Sequence, residues 1–171
     1  GHRGEARSAQ RRTGAPGEED GMSIDWLWFA TVTTFGLVAS QHAFYAVGLG
    51  ETQRRLGASA YVELRNRIDD VMRTRVPAVY VATLVCVVAS VVFAAGAARG
   101  CAVIALAALL AEAWLMLKRS VPVNDRMQGW SPDAVPAGWE ATREEWLAVF
   151  RQRQIAVAIG FTATLLGALA H

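Results

Sequence analysis

The chain has 171 residues, of which 53% are hydrophobic and 19% charged, and its formal net charge is +2. This length allows one domain, and the composition excludes a mainly disordered chain, a collagen-like fibre and a polyelectrolyte. Four intervals, 26–50, 76–98, 100–117 and 154–170, contain a single charged residue among them, Glu112. Because about 20 apolar residues cross a bilayer as a helix, these intervals predict an all-α, integral membrane four-helix up-down bundle.

Residues 1–21 combine Gly, Arg and acidic residues without an apolar period. Such a segment cannot bury enough apolar surface to fold, and we expect a disordered tail. Met22 follows directly, so the tail is either an addition to the natural chain or an extension upstream of its start. The folded domain is then expected at 22–171.

The first membrane helix is predicted at 25–48, with Gly48 and Gly50 as its stop. The second is predicted at 76–98, with Pro77 in its first turn, where a missing N–H does no harm. Arg99 and Gly100 leave room only for a tight turn before a third helix at 100–117. The fourth is predicted at 154–170.

Two polar connections join these helices. In 51–75 an apolar stripe predicts an amphipathic helix that continues into the second span. Arg65 and Arg67 lie on the face that we expect to be solvated. Residues 120–137 hold three prolines and predict an irregular loop. Apolar residues then fall on one face of a second amphipathic helix that leads into the last span. The stripe of the first amphipathic helix consists of Tyr61, Leu64, Ile68, Val71 and Met72. That of the second consists of Trp139, Trp146 and Phe150.

The positive charges predict the orientation. Of the 17 Lys and Arg residues, six lie in 51–75 and six in 118–153. Cytoplasmic loops carry the excess of Lys and Arg, so both connections are expected in the cytoplasm and both termini outside. The predicted location is the cytoplasmic membrane, with the amphipathic helices as cytoplasmic extensions.

Two ionisable residues, Glu112 and His42, are expected inside the bundle at similar depth. An intramembrane ionisable residue indicates a functional site by default. A carboxylate beside an imidazole can orient the ring and create a general base, and it can equally be an interhelical hydrogen bond that holds the bundle together. Tyr80 enters at the same depth from the second helix. Gln41 and Tyr45 belong to a polar stripe of the first helix that either lines a cavity or bonds to its own helix.

The inventory of metal ligands is small. Cys86 and Cys101 form no disulfide framework and no C-x-x-C site. Since His2 and His171 lie at the termini, a haem or a His-rich metal cluster cannot be built. A metal held by carboxylates stays open. No phosphate-binding glycine loop or dinucleotide fingerprint is present.

A short pattern resembles a known family. Pro122-Val123-Asn124 is followed, after a gap, by Trp146 and by Arg153 at the start of an apolar helix. This pattern resembles the anthrone oxygenase-like family of small four-helix integral membrane proteins, over about 25–170. Tyr61, Ile68-Asp69 and Pro77 in the first half are similar too. A polar residue often stands three positions before the Arg in that family, and this chain has Phe150 there.

The resemblance implies a monooxygenase that oxidises polycyclic phenolic anthrones to anthraquinones with O₂, in polyketide biosynthesis. It implies no flavin, haem or established metal, so O₂ is a co-substrate and no cofactor is expected. It points to Asn124, Trp146 and Arg153 as site residues.

Chemically, the reaction needs a base that forms an enolate and donors that hold the oxyanion. His42 is the candidate base, and Glu112 would orient it. Asn124 and Arg153 are candidate oxyanion donors, and Trp146 would stack on the flat substrate. Each of the last three also has an ordinary interpretation: a helix cap for Asn124, an interfacial position for Arg153 and an interfacial anchor for Trp146. Gln41, Tyr45 and Tyr80 complete the predicted binding site.

Two other functions remain open. One is a small transporter or proton-relay subunit that uses His42 and Glu112, although 25–98 and 100–170 show no repeat of the kind common in transporters. The other is a non-catalytic membrane assembly partner. The expected partners are membrane lipid and an apolar aromatic small molecule, with no nucleic acid. A homo-oligomer is left open.

Overall fold

The computed structural model describes residues 16–171, and every regular element in that range is helical. The elements are α1 (Pro16–Phe44), α2 (Gly50–Arg55), α3 (Ala58–Phe93), α4 (Gly96–Leu115), α5 (Val121–Gln128) and α6 (Trp139–Leu169). Two π-helical turns, Tyr45–Leu49 and Met116–Ser120, join α1 to α2 and α4 to α5. In the part of the chain that is described, the only β-type pairing is an isolated bridge between Ser131 and Ala134.

The four long helices pack side by side. α1 contacts α3 and α6, and α4 contacts the same two helices from the opposite side. Three clusters of buried side chains follow one another along this arrangement. The first lies at the end that holds α2 and α5, around Tyr61 and Trp146, the second lies in the middle around Phe35, and the third surrounds Trp28 at the other end.

Two of these helices, Ala58–Phe93 and the continuous stretch Gly96–Gln128, are long and apolar enough to cross a membrane. All four long helices expose large apolar side chains. They include Leu37 on α1, Val81, Val85 and Val92 on α3, Ile104, Leu110 and Trp114 on α4, and Ile155, Ile159 and Leu166 on α6. Contiguous exposed apolar surface of this kind marks a membrane or protein interaction surface.

The first helix differs from its prediction at both ends. Residues 1–15 of the predicted tail lie outside the described range, and residues 16–21 form the first turns of α1. Pro16 stands at the first helical position and acidic residues follow it, which favours a helix start. The predicted stop at Gly48 and Gly50 is wrong, because the helix widens into a π-helical turn and continues as α2. The Gly50 N–H bonds to the Tyr45 carbonyl across that turn.

The predicted hairpin between the second and third helices is present, but its turn lies at Ala94 and Ala95 instead of Arg99 and Gly100. Gly96 has a φ of +54°, a conformation that only glycine adopts at little cost. Arg99 lies in the first turn of α4 and donates from Nε to the Ala94 carbonyl at 2.7 Å. Its charge thereby satisfies a carbonyl that the end of α3 leaves free.

Two prolines lie inside helices, contrary to prediction. Pro77 lies well within α3 instead of opening a separate span, since the predicted amphipathic helix does continue into the apolar segment. Pro122 lies near the start of α5, in a region predicted as a loop over 120–137. The π-helical turn directly before Pro122 widens the backbone where its ring would otherwise collide with a preceding carbonyl. The irregular segment is therefore shorter than the predicted loop and lies between Gln128 and Trp139. The predicted helix from Trp139 into the apolar segment 154–170 is confirmed.

Gly160 on α6 packs closely against the middle cluster, and a substitution there tests this packing. A Cβ there would collide with the Phe35 ring and lie 3.1 Å from the Ala108 Cβ, and the Phe35 side chain is fully buried. Because neither neighbour has room to move, we expect Gly160→Ala to lower the free energy of unfolding by about 1–3 kcal/mol. Thermal unfolding in detergent measures this change.

The matched control is Gly100→Ala on α4, where an added Cβ meets nothing within 4 Å. This change removes a flexible residue from a helix and should stabilise the protein by about 0.5–1 kcal/mol. Equal melting temperatures for the two variants would contradict the packing described for Gly160.

Candidate functional site

A buried polar network joins one side chain from each of the four long helices. His42 comes from α1, Tyr80 from α3, Glu112 from α4 and Arg153 from α6. His42 Nε2 lies 3.2 Å from the Tyr80 hydroxyl, which donates to Glu112 Oε1 at 3.0 Å. Arg153 donates to the same oxygen from Nε at 2.8 Å and from Nη2. The predicted proximity of His42 and Glu112 is present, with 3.7 Å between Nε2 and Oε1.

Glu112 and Arg153 form a buried ion pair. Glu112 is fully buried and Arg153 is 8% exposed. Arg153 also donates from Nη1 to the Ser120 hydroxyl at 3.3 Å. The second carboxylate oxygen, Oε2, is buried and has no hydrogen-bond partner among the described residues. A buried charge without its partner is strongly destabilising, so this pair holds α4 and α6 in register.

The direction of the hydrogen bonds assigns the His42 tautomer. Tyr80 has one hydroxyl proton, and donation to the ionised Glu112 is the stronger use of it. The Tyr80 oxygen then accepts a proton from His42 Nε2. A neutral imidazole has one N–H, so Nδ1 carries the lone pair. Within the described part of the chain, Nδ1 is buried and has no partner.

Stacked aromatic rings fix the orientation of His42. The Phe150 ring lies parallel to the imidazole, with 4.8 Å between the ring centroids. Trp146 stacks on Phe150 at 5.0 Å, and Tyr45 packs against both rings. Gln154 bonds to the backbone carbonyl of His42 at 3.1 Å. The imidazole is therefore held from its ring face, from Nε2 and from its backbone.

Asn124 lies in a separate polar centre. Its side-chain oxygen accepts hydrogen bonds from Arg65 Nη2 at 2.6 Å and from Trp146 Nε1 at 2.7 Å. The guanidinium carbon of Arg65 also lies 5.3 Å from the centroid of the Trp146 ring. The rings of Trp146 and Phe150 stand between this centre and His42. The structure thus brings His42, Tyr80, Glu112 and Arg153 together, but does not place Asn124 with them.

Three residues with ordinary interpretations have specific contacts in the structure. Asn124 lies inside α5 and caps no helix end, so that interpretation is wrong. Trp146 is buried between Phe150 and Arg65, and these contacts occupy its ring faces. Arg153 is buried and bonds to Glu112. Gln41 is half-buried, makes only a long 3.9 Å contact to the Met72 sulfur and does not join the network.

Arg65 is predicted on the solvated face, whereas in the structure it is 5% exposed. The missed signal is its helical phase, since Arg65 lies four residues after Tyr61 and three before Ile68, inside the apolar stripe. Ser120 and the stacking role of Phe150 were also missed. Nothing in the sequence marks Ser120, because its contact with Arg153 depends on the π-helical turn that contains it.

An open groove of about 500 Å³ lies between α1 and α6, beside His42. Small residues on the two helices leave this space: Gly36, Ala39, Ser40, Ala43, Ala46 and Ala158. His42, Gln154, Phe161 and Thr162 complete its lining, which is mainly apolar. Ligand sites commonly have about 300–1,000 Å³, mostly apolar walls and a few polar groups. We call this space the α1/α6 groove.

The Glu112–Arg153 pair can be tested by stability. Glu112→Gln leaves the Arg153 charge buried without a counter-charge, and we expect a loss of about 3–5 kcal/mol in the free energy of unfolding. Combining it with Arg153→Met removes both charges and should restore most of that loss. Thermal unfolding in detergent measures these two variants and the single Arg153→Met variant.

Glu63→Gln serves as the control, because Glu63 forms an exposed pair with Arg67. That variant should cost less than about 1 kcal/mol. Losses that simply add in the Glu112→Gln/Arg153→Met variant would show that the two side chains do not depend on each other.

The described residues contain no group of three or more His, Cys, Asp or Glu side chains that could hold a metal ion. Glu112, the acidic member of the network, is bonded to Arg153 and Tyr80. Comparison with protein-family models, curated proteins and solved structures finds no match for this chain. The buried network and the α1/α6 groove are therefore the basis for assigning a function.

Proposed function

We propose that the chain is an integral membrane protein in which all four long helices cross the cytoplasmic membrane. The exposed apolar side chains on every long helix support this proposal, since lipid is the solvent that such a surface requires. In this arrangement α2, α5 and the first turns of α3 and α6 form polar extensions at one end.

Among the described residues, only Ala58–Phe93 and Gly96–Gln128 qualify as spans by length and hydropathy. The composition of α1 and α6 is still consistent with this proposal. These helices carry polar residues that face inward, such as His42 on α1 and Arg153 and Gln154 on α6. Polar residues in membrane helices typically face the bundle interior and pair with one another. Each helix still presents an apolar outer face, with Leu37 on α1 and Ile159 on α6 more than half exposed.

The proposed topology places α2 and α5 in the cytoplasm. In a variant without native cysteines, Ser59→Cys should resist a membrane-impermeant maleimide added to intact cells, because Ser59 begins the cytoplasmic part of α3. Ala95→Cys, in the turn before α4, should react. Both residues are exposed, so access alone does not separate them. The reverse labelling pattern would invert the topology, with both termini inside.

We infer that the chain is an oxygenase that needs no cofactor and acts on an apolar, anthrone-like aromatic substrate. One observation carries this proposal: His42 is buried, its Nδ1 has no partner among the described residues, and it lines the apolar α1/α6 groove. A polar atom without a partner is costly in an apolar interior. A substrate that gives a proton to Nδ1 would satisfy it.

The proposed reaction is balanced. His42 Nδ1 removes a proton from the methylene carbon of the anthrone, and the electron pair delocalises into the carbonyl as an enolate. O₂ takes electrons from the enolate and bonds to the same carbon. One oxygen atom stays as the new carbonyl of the anthraquinone, and the other leaves as water with the two methylene hydrogens. The chain's part is to take, hold and return the proton.

The hydrogen-bond network around His42 is suited to taking up and returning this proton. After proton transfer the imidazolium would donate from Nε2 through the Tyr80 hydroxyl to Glu112. The negative charge of Glu112 favours the imidazolium. Arg153 limits this effect, because the Glu112–Arg153 pair is neutral as a whole. Arg153 thus acts through Glu112, and a direct role as an oxyanion donor is not supported by its contacts.

Asn124 and Trp146 are better described as supports than as substrate contacts. Asn124 joins Arg65 to Trp146, and Trp146 holds Phe150 against the imidazole. Two of the residues to which the family resemblance points, Asn124 and Trp146, therefore reach His42 through stacked rings. Gln154, Tyr45 and Tyr80 remain nearest to the proposed site.

Transport of protons is the second candidate, because the same four side chains form a buried chain of hydrogen bonds. The hydroxyl groups nearer the Trp28 end of the bundle disfavour proton transport. Thr31, Thr83, Ser90 and Thr164 each donate to a carbonyl of their own helix, four residues back. Thr31 and Ser90 also contact each other at 3.0 Å. Protons committed to helix carbonyls do not extend the chain of His42 across the bundle.

The base assignment predicts that His42→Ala slows turnover by roughly 10²–10⁴-fold, the usual contribution of a positioned base. The assay is oxygen consumption with emodin anthrone in detergent, corrected for spontaneous autoxidation. His171→Ala is the matched control, because His171 is exposed at the far end of α6 and should keep full activity. A folded His42→Ala protein with full turnover would show that His42 is not the base.

A further inference from the structure

A second, more polar cavity opens next to the α1/α6 groove. It has a volume of about 310 Å³ and lies between the turn that joins α1 to α2 and the first half of α6. Its lining includes Tyr45, Glu51, Arg54, Phe150 and Arg151. Ala46 and Gln154 line both spaces, so the two adjoin beside His42. We call this second space the polar mouth.

The charges of the polar mouth are unevenly paired. Arg54 donates from Nε and Nη2 to Glu144, at 3.1 Å for the shorter bonds, and this contact lowers the pKa of the Glu144 carboxyl. Glu51 pairs with Arg55 at 3.1 Å. Arg151 is exposed and forms no ion pair with the side chains described in residues 24–171. The polar mouth therefore offers one cation whose charge is not matched by a side chain of the described fold.

Helical spacing aligns this cation with the groove. Arg151, Gln154 and Ala158 lie at offsets of three and seven residues, which places them on one face of α6. Arg151 is about 4.5 Å along the helix axis from Gln154, at 1.5 Å per residue. Gln154 bonds to the His42 carbonyl and so marks the depth of the proposed base.

We propose that the site takes a planar aromatic acid, with its rings in the α1/α6 groove and its carboxylate paired with Arg151. This inference rests on the proposed function and names its substrate class. The anionic group would fix which ring carbon faces His42, because the ion pair and the base are about one helical turn apart. The phosphate of a membrane lipid carries the same kind of charge, and the experiment below separates the two sources.

The test is a binding titration in nanodiscs of neutral lipid, followed by the fluorescence anisotropy of an anthracene carboxylate and of its neutral carboxamide. Arg151→Gln should weaken binding of the carboxylate about three- to tenfold and binding of the carboxamide less than about twofold. Arg119→Gln is the matched control, because Arg119 is exposed and lies outside both cavities. It should change neither affinity.

Ala43→Phe tests the position of the rings. Ala43 lines the groove and is exposed, so a larger side chain fills the groove without entering the core. It should weaken both probes more than tenfold, whereas Val85→Phe, on the exposed face of α3, should weaken neither. Equal effects of Arg151→Gln on the two probes, or unchanged binding in Ala43→Phe, would overturn the proposal.

A short-chain phosphatidic acid added as competitor identifies the source of the anion. Displacement of both probes at a concentration below the Kd of the carboxylate would assign the site to an anionic lipid and overturn the proposal. Weaker or absent displacement supports the aromatic acid. Because binding is measured without turnover, loss of the proposed oxygenase activity would leave these results unchanged.

Discussion

Burying the charge of Glu112 requires a compensating charge, and the structure supplies it from Arg153 on a neighbouring helix. Tyr80 and His42 then extend the network to the other two long helices. Since a buried ion pair loses several kcal/mol when one partner is displaced, each helix has little freedom to slide or rotate. The π-helical turn that contains Ser120 places its hydroxyl where it accepts a hydrogen bond from Arg153.

The network also explains why a residue that lines the α1/α6 groove keeps a buried nitrogen without a partner. Tyr80 and Arg153 both donate to Glu112 Oε1, and the tautomer that results leaves His42 Nδ1 with a lone pair and no partner among the described residues. Small residues on α1 and α6 keep the adjoining groove open, and Phe150 holds the imidazole at its edge. A packing requirement and a chemical capacity thus come from the same four side chains.

The sequence was informative where physics acts locally. The absence of charges located the apolar segments, and their spacing brought His42 and Glu112 to one depth. It was less informative about which way a helix faces and where it ends. Arg65 is recognisable only from the helical phase of its neighbours, and the family pattern that points to Arg153 does not reveal its pairing with Glu112. The π-helical turns carry the chain past Gly50 and Pro122, residues that ordinarily indicate a helix end.

The central claim is that neutral His42 carries its proton on Nε2 and its lone pair on Nδ1. Solid-state NMR of the protein in bilayers, with isotope-labelled histidine, measures both nitrogens directly. The His42 signals are identified by their absence from the spectrum of the His42→Gln variant. The account predicts that at neutral pH the Nδ1 signal of His42 is that of an unprotonated nitrogen and the Nε2 signal that of an N–H. A protonated Nδ1 with an unprotonated Nε2 would contradict it, since the proposed base would then have no free electron pair.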